Sequence, residues 1–170
     1  HLMDEDTPLD FEGVYYRLRE AVLLPRPARP GGPPILIGGN GPKRTLPLAT
    51  RYADEWNAVY VNPARFAELN GVLDEMLAAA GRERGAVRRS LMAGCIFGRD
   101  TAELERKLAG RNRTAAELHE RGVAVGTSEQ IRDQLGAWAE AGVQRIMLQW
   151  LDLDDIDGLV ALAAAVPDGS

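Results

Sequence analysis

The sequence predicts an α/β fold in which parallel β-strands alternate with helices. From Ile35 onwards, short apolar runs recur between segments that have helical periodicity. The runs are continuously apolar, as expected for strands that are buried on both faces of a parallel sheet. Helix-capping residues and glycines separate the two kinds of segment. Alternation of this kind implies right-handed crossovers and a sheet covered by helices.

The first 34 residues do not follow this alternation. Phe11–Leu18 combines aromatic and β-branched residues around a glycine, which predicts a short extended pair or hairpin. Residues 25–34 contain five prolines and two glycines, so we expect a stiff connector without regular structure. We therefore predict two regions, a leader of residues 1–34 and an α/β region of residues 35–170.

Four strands are predicted in the α/β region. They are Ile35–Ile37, Trp56–Val61, Ser90–Phe97 and Val143–Trp150. Four strand–helix units would form either a small open sheet or half of a closed barrel. A complete (β/α)₈ barrel needs about 250 residues, and this chain of 170 residues is too short for one.

The helices are predicted from their start signals. A helical segment covers Lys43–Asp54, and Asn62 followed by proline begins the next one. Thr101 is expected to cap a long polar helix, and Thr127 to begin a helix with a capping box. The acidic residues of Asp152–Asp155 precede the last helix, where carboxylates favour the positive end of the helix dipole.

The composition excludes several classes of function. With 25 acidic and 20 basic residues, the net charge is −5, which argues against a nucleic-acid surface and against binding to anionic membranes. No apolar run approaches 18 residues, and residues 1–6 lack the features of a signal peptide, so we expect a cytoplasmic protein. The single cysteine and two distant histidines predict no internal disulfide and no metal centre.

The strand at Ile35–Ile37 runs into a glycine-rich turn and then into a helix that starts with two cations. The candidate residues in this stretch are Gly38, Gly39, Asn40, Gly41, Lys43 and Arg44. Glycines allow a ligand to approach the backbone, and a helix N-terminus adds free donors and partial positive charge. The pattern therefore indicates a site for a phosphate or another anion. A tight turn with surface cations explains it equally well, and it matches neither a Walker loop nor the dinucleotide fingerprint.

Other candidates lie near the ends of the predicted strands, where barrel active sites are built. Asn57 could bond a cofactor oxygen or cap a neighbouring turn. Cys95 lies in an apolar strand and is interpreted as a core residue rather than a nucleophile. Gln149 and Trp150 end the last strand and could line a pocket, although Trp150 could equally belong to the core or to an interface.

Two further segments have simpler explanations than ligand binding. Gly126 and Thr127 begin a helix and could approach an anion, but capping is a sufficient role. The cluster Asp152–Asp155 could bind a cation, yet no ligand loop accompanies it. We therefore interpret it as a helix-capping and dipole feature.

Four segments, in this order and at this spacing, resemble the luciferase-like monooxygenase family. They are Phe11-Glu12-Gly13-x-Tyr15-Tyr16, Pro33-Pro34-Ile35-Leu36-Ile37-Gly38-Gly39-Asn40-Gly41, Tyr52-Ala53-Asp54-Glu55-Trp56-Asn57 and Val125-Gly126-Thr127-Ser128-Glu129-Gln130. The similarity extends from about Phe11 to Val166 and points to the branch that depends on coenzyme F-420.

The resemblance implies the C-terminal half of a (β/α)₈ TIM barrel, with the fifth to eighth strands in this chain. It implies an oxidoreductase or monooxygenase that acts on a small molecule with FMN or coenzyme F-420, whose phosphate the Gly38–Gly41 loop would hold. The family's first four strands supply much of the pocket under the flavin ring and are absent here. The resemblance therefore leaves open whether this chain is active alone.

Two alternatives remain at this point. One is a non-catalytic flavin- or phosphate-binding half-barrel that dimerises, and the other is an open domain of the flavodoxin type. A half-barrel would leave strand edges at Ile35–Ile37 and Val143–Trp150 without partners, and exposed edges favour association. We therefore expect either a homodimer or pairing with a missing N-terminal half.

Overall fold

The computed structural model describes residues 7–166, and its contacts divide the chain between Ile35 and Leu36 into two units. In the first unit, β1 (Leu9–Glu12) pairs antiparallel with β2 (Arg17–Ala21), and the Gly13 amide donates to the Tyr16 carbonyl over 2.9 Å. The predicted hairpin is thereby confirmed. The prediction about a signal peptide concerns residues 1–6, which lie outside the described part.

The second unit is built on parallel strands. They are β3 (Leu36–Gly38), β4 (Glu55–Val59), β5 (Arg88–Phe97), β6 (Val123–Gly126) and β7 (Arg145–Gln149). The four predicted strands are confirmed as β3, β4, β5 and β7. Strand β6 was not predicted, because its segment was interpreted only as the approach to a helix.

Helices alternate with these strands, and a short 3₁₀ turn at Arg84–Ala86 precedes β5. The helices are α1 (Thr45–Tyr52), α2 (Pro63–Ala79), α3 (Thr101–Leu108), α4 (Ala115–Glu120), α5 (Ser128–Glu140) and α6 (Ile156–Ala165). Within residues 7–166, no helix has both the length and the apolar character that a membrane span needs.

The prediction of a single long helix from Thr101 is wrong, because two separate helices, α3 and α4, occupy this segment. The N-cap is Asp100, whose side chain accepts from the Glu103 amide over 2.7 Å, and α3 ends at Leu108. Gly110 then has a φ of +80°, a conformation that suits glycine and ends the helix. Thr114 begins α4 with a capping box of its own.

The other predicted helix starts are confirmed. The Asn62 side chain accepts from the Arg65 amide over 2.9 Å at the start of α2. The Thr127 amide donates to the Gln130 side chain over 2.9 Å, as a capping box at the start of α5 requires. Asp155 caps α6 by accepting from the Gly158 amide over 2.8 Å.

The strand order distinguishes a barrel segment from a doubly wound sheet. Strands β3, β4, β5 and β7 are neighbours in the order of the sequence, whereas a flavodoxin-type sheet places its first strand inside the order. The open flavodoxin-like alternative is therefore wrong. Strand β5 pairs with β4 and β7 along its first half and with β6 along its second half.

The two faces of the sheet differ. Trp56, Ala58, Leu91 and Ala93 are fully buried in the main core, on the face that the helices cover. Side chains alternate along a strand, so Asn57, Ser90, Gly94 and Gln149 lie on the other face. Because all five strands are parallel, their carboxyl ends meet at one edge of the sheet, where the candidate residues are found.

Candidate functional site

The glycine-rich turn after β3 is fixed to β4. Gly39 has a φ of +123°, and its amide donates to the Asn57 carbonyl over 2.9 Å. The Asn40 side chain forms two bonds with the main chain of Val59, at 2.7 and 2.9 Å. The indole of Trp56 donates to the Gly39 carbonyl over 2.9 Å. The turn is therefore held rigidly by backbone and side-chain bonds before any ligand is present.

The turn retains backbone donors that the protein does not use. The amides of Thr45 and Leu46 donate to the Gly41 carbonyl at 2.9 and 3.1 Å. By contrast, the amides of Asn40, Gly41 and Lys43 have no acceptor among residues 7–166. The amide of Gly39, one of the predicted donors, already donates to the Asn57 carbonyl and is therefore not free for a ligand.

Charge and shape at this turn also suit an anion. Lys43 and Arg44 are exposed and form no ion pair with a described residue. A Cβ on Gly39 or Gly41 would lie 3.1 or 3.2 Å from the Thr45 hydroxyl oxygen, so the glycines keep this hydroxyl close to the turn. Thr45 was missed as a candidate, although a hydroxyl residue at the start of a helix after a glycine turn is a recognisable signal.

Asn57 lies level with Gly38 and Ser90 in the sheet. Its side chain is buried and donates to the Ser90 hydroxyl over 3.0 Å, so it does not cap a turn. Its carbonyl, as noted, holds Gly39. The structure thus places Asn57 in the strand beside the start of the glycine-rich turn.

A cavity of about 510 Å³ lies at the carboxyl ends of β5 and β7. It is lined by Tyr60, Gly94, Cys95, Ile96, Phe97, Lys107, Arg111, Leu118, Val123, Trp150, Leu151 and Asp152. Trp150 lines this cavity and also packs against the main core, so two of the three roles considered for it are observed. Gln149 is linked to this cavity by a hydrogen bond from the Tyr60 hydroxyl.

Cys95 lines the cavity but is not prepared for nucleophilic attack. Burial raises the pKa of its thiol to about 11, and the positive charge of Lys107 offsets this only in part. The thiolate is the reactive form of cysteine, so a raised pKa makes the side chain inert at neutral pH. This agrees with the interpretation of Cys95 as a core residue.

Lys107 joins α3 to the segment after β7. Its ammonium lies 2.5 Å from the Asp155 carboxylate, 3.6 Å from Asp152 and 5.1 Å from the centre of the Trp150 ring. Burial lowers the pKa of Lys107, but the bond to Asp155 and the nearby carboxylates outweigh it, so the pKa is raised. The hydrogen bond from Lys107, followed by that from Gly158, lowers the pKa of Asp155.

The acidic segment Asp152–Asp155 is thus occupied by a lysine and by a helix cap, which confirms its capping interpretation. Gly126 is similarly explained by local structure, because a Cβ there would lie 2.4 Å from the Gln130 side chain of the capping box. The remaining candidates for ligand binding are the glycine-rich turn and the cavity.

The fold agrees with that of known proteins. The model of the luciferase-like monooxygenase family matches residues 1–122, so the chain belongs to this family. A phthiodiolone/phenolphthiodiolone dimycocerosates ketoreductase of Mycobacterium kansasii is 32% identical over 98 residues, which are 57% of this chain and 26% of that protein.

Two solved structures show the same fold. An F-420-dependent secondary alcohol dehydrogenase, in complex with an F-420–acetone adduct, superimposes with a TM-score of 0.73 at 21% identity, over 98% of this chain and 58% of that one. The second is the oxygenating constituent of 3,6-diketocamphane monooxygenase from Pseudomonas putida, in complex with FMN. It superimposes with a TM-score of 0.64 at 15% identity, over 94% of this chain and 58% of that one. The chain is therefore a partial (β/α)₈ barrel and spans little more than half of these structures.

Proposed function

We propose that this chain binds the phosphate of coenzyme F-420 or FMN in the turn between β3 and α1, as the cofactor-phosphate-binding part of an oxidoreductase. One observation carries the proposal. The turn, held by hydrogen bonds to β4, carries three backbone amides without acceptors and is followed by two cations without ion-pair partners, as far as residues 7–166 show. Preorganised donors of this kind bind an anion without the cost of ordering a loop.

The residues present fit such a phosphate. The amides of Asn40, Gly41 and Lys43 would donate to its oxygens, together with the Thr45 hydroxyl. Lys43 and Arg44 would supply the opposite charge. When bound, the cofactor would supply hydride transfer, which no side chain of the described residues can perform.

The comparisons support this choice of cofactor. Among the similar structures, one was solved with an F-420 adduct and one with FMN. The ketoreductase and the alcohol dehydrogenase are named for carbonyl and alcohol chemistry, which extends the proposal to an oxidoreductase that acts on a small molecule. Because this chain spans only part of those proteins, catalysis by the chain itself is also part of the proposal.

A fluorescence titration of FMN and of F-420 tests the phosphate site. Exchanging both cations, Lys43→Glu with Arg44→Glu, should weaken binding at least about tenfold, or about 1.4 kcal/mol. The matched control is Arg106→Glu with Arg132→Glu, which changes the net charge equally at exposed positions on α3 and α5. Equal losses in both variants, or an unchanged affinity in the first, would remove the proposed site.

A second candidate is a non-catalytic, dimeric half-barrel that binds a flavin or a phosphate. The side chains of the cavity favour this candidate, because the Cys95 thiol has a raised pKa and the charge of Lys107 is paired with that of Asp155. This candidate predicts the same cofactor affinity but no turnover with reduced F-420 or FMN and a ketone.

A further inference from the structure

Another cavity, here called the amino-edge cavity, lies at the opposite ends of the strands from the glycine-rich turn. Its volume is about 370 Å³. Arg89 at the start of β5 and Gln144 just before β7 place it at the amino ends of two neighbouring strands. It is lined by Asn70, Arg84, Gly85, Arg89, Ala139, Gly142, Val143 and Gln144. Among these lining residues, two are arginines and none is acidic.

Arg89 is the buried centre of this wall. Its side chain is only 6% exposed and donates to the carboxylate of Asp74 and, over 3.1 Å, to Oδ1 of Asn70. It also donates to the carbonyl oxygens of Arg84 and Val87, so four of its five N–H groups are used. Burial lowers the pKa of Arg89, and the charge and hydrogen bond of Asp74 offset this only in part.

Two guanidinium groups share one carboxylate at this cavity. Nη2 of Arg84 lies 2.8 Å from Oδ2 of Asp74, whose Oδ1 accepts from Arg89. Within residues 7–166, neither arginine pairs with another carboxylate. The C-terminal end of α5 adds about half a negative charge, which is less than the uncompensated charge of one arginine. The amino-edge cavity therefore has an excess of positive charge.

Two carboxamides of the wall have free nitrogen atoms. Oδ1 of Asn70 accepts from the side chain of Arg89, and Oε1 of Gln144 accepts from the amide of Arg89 over 2.8 Å. Because both partners are N–H donors, the bonded atom of each carboxamide is its oxygen. Nδ2 of Asn70 and Nε2 of Gln144 have no acceptor among the described residues.

The free nitrogen of Asn70 is kept open by a glycine. Asn70 is 7% exposed, yet its Nδ2 is not fully buried, so solvent reaches this atom through the cavity that Asn70 lines. A Cβ on Gly142, whose φ is +100°, would lie 2.6 Å from Nδ2. Polar groups of buried residues nearly always have a partner. The Nδ2 group of Asn70 therefore calls for an acceptor inside the cavity.

We propose that the amino-edge cavity binds a small oxyanion, the phosphate or carboxylate group of a small molecule. The free N–H groups of Asn70 and Gln144 donate to its oxygens, and Arg84 with Arg89 supplies the opposite charge. A water molecule would also accept from the carboxamides, but it would leave the second guanidinium without a counter-charge. The site lies at the other end of the strands from the proposed cofactor phosphate site and does not depend on the proposed function.

NMR of the ¹⁵N-labelled 170-residue chain tests the proposal. Inorganic phosphate and acetate are titrated separately, with sodium chloride at equal ionic strength as the reference. We expect the side-chain amide signals of Asn70 and Gln144 to shift beyond the chloride reference. Shifts with only one of the two anions identify the ligand group as phosphate or carboxylate. Lys43→Glu with Arg44→Glu should retain these shifts, which separates this site from the cofactor phosphate site.

Asn70→Asp is the most direct variant. It keeps the shape of the side chain and an acceptor for Arg89, but it replaces the free N–H groups with a carboxylate oxygen. The affinity for the oxyanion should therefore fall at least about tenfold. Asn112→Asp, at an exposed position between α3 and α4, is the matched exchange of amide for carboxylate and should leave the affinity unchanged.

Arg84→Gln provides a second variant in case Asn70→Asp fails to fold, because the side chain of Arg84 is 74% exposed. It removes one of the two guanidinium groups, so the affinity should fall, whereas Arg106→Gln on α3 should have no effect. Signals of Asn70 and Gln144 that move no further than in sodium chloride would overturn the proposal. Equal affinities in the parent chain and all variants would overturn it as well.

Discussion

The indole N–H of Trp56 donates to the carbonyl oxygen of Gly39 over 2.9 Å. Trp56 is fully buried, and its ring stacks on Phe66 with 5.2 Å between the ring centres. The glycine-rich turn is therefore connected directly to the hydrophobic core. A change in the core at this point should be detectable at the turn.

Trp56→Phe tests that connection. It leaves the Gly39 carbonyl without its donor and opens space in the core, so the free energy of unfolding should fall by about 1–3 kcal/mol. Cofactor affinity should fall as well, because the turn loses one of its fixed points. The control Phe66→Leu removes the stacking partner but keeps the bond, so urea unfolding should change while cofactor affinity does not. Equal affinities for both variants would show that the turn does not depend on Trp56.

Gly94→Ala should displace the Tyr60 ring. The added methyl group would lie 3.0 Å from Cε1 and 3.3 Å from the hydroxyl oxygen of Tyr60. We expect a loss of about 1–3 kcal/mol in the free energy of unfolding, the usual cost of overpacking. In a Tyr60→Ala background the same substitution should cost less, and a double-mutant cycle measures the difference. Additive effects would contradict the proposed contact.

Glu103 should make stability sensitive to acid. The side-chain hydrogen bond from Arg99, followed by the bond from the Arg99 amide, lowers the pKa of Glu103 to about 2. The folded-state pKa lies below the unfolded-state value. The contribution of ionised Glu103 to stability is therefore complete above the unfolded-state pKa, and it disappears as the pH falls from about 5 towards 2. Urea unfolding across this range should show a weaker pH dependence in Glu103→Gln. Glu105→Gln, on the same helix, should follow the parent chain.

Cys95 should react slowly with thiol reagents. Its pKa of about 11 leaves a much smaller thiolate fraction at pH 8 than an exposed cysteine has. Alkylation by iodoacetamide, followed by mass spectrometry, should be at least about tenfold slower in the native chain than in the urea-unfolded chain. Comparable rates in the two states would show that the thiol is neither buried nor raised in pKa.

The sheet edges predict association. Among residues 7–166, β3 pairs only with β4 and β7 pairs only with β5, and Leu36 on the β3 edge is exposed. We propose a homodimer, or pairing with an N-terminal half, through an interface larger than about 1,600 Å². Light scattering should report a dimer of the parent chain and a shift towards monomer in Leu36→Lys, because a charged edge resists strand pairing. A monomer with slow amide exchange in β3 and β7 would exclude this assembly.

Local patterns in the sequence predicted much of the fold. Continuous apolar runs identified β3, β4, β5 and β7, because strands that are buried on both faces leave this signal. The caps at Asn62, Thr127 and Asp155 were recognisable because each depends on residues only three positions apart. The glycine-rich turn was visible for the same reason.

Features that depend on distant residues were not predictable. The bond from Tyr60 to Gln149 joins residues 89 positions apart, and neither residue type signals it. The short strand β6 exists because Val123–Gly126 meets the second half of β5, which no periodicity reveals. The end of α3 depends on the conformation of Gly110, in a segment whose polar composition suggested one continuous helix.

The pairing of β5 with three strands has a consequence for synthesis of the chain. Strand β4 leaves the ribosome before β5 and can pair with it at once, but β7 follows β5 by about fifty residues. Until Arg145–Gln149 has emerged, one side of Ser90–Gly94 remains open on the nascent chain. This segment contains Leu91 and Ala93, which are fully buried in the finished fold. Nascent chains that stop before β7 should therefore expose an unpaired strand edge that is prone to aggregation, and they should require chaperones. Chains that extend past Gln149 should not.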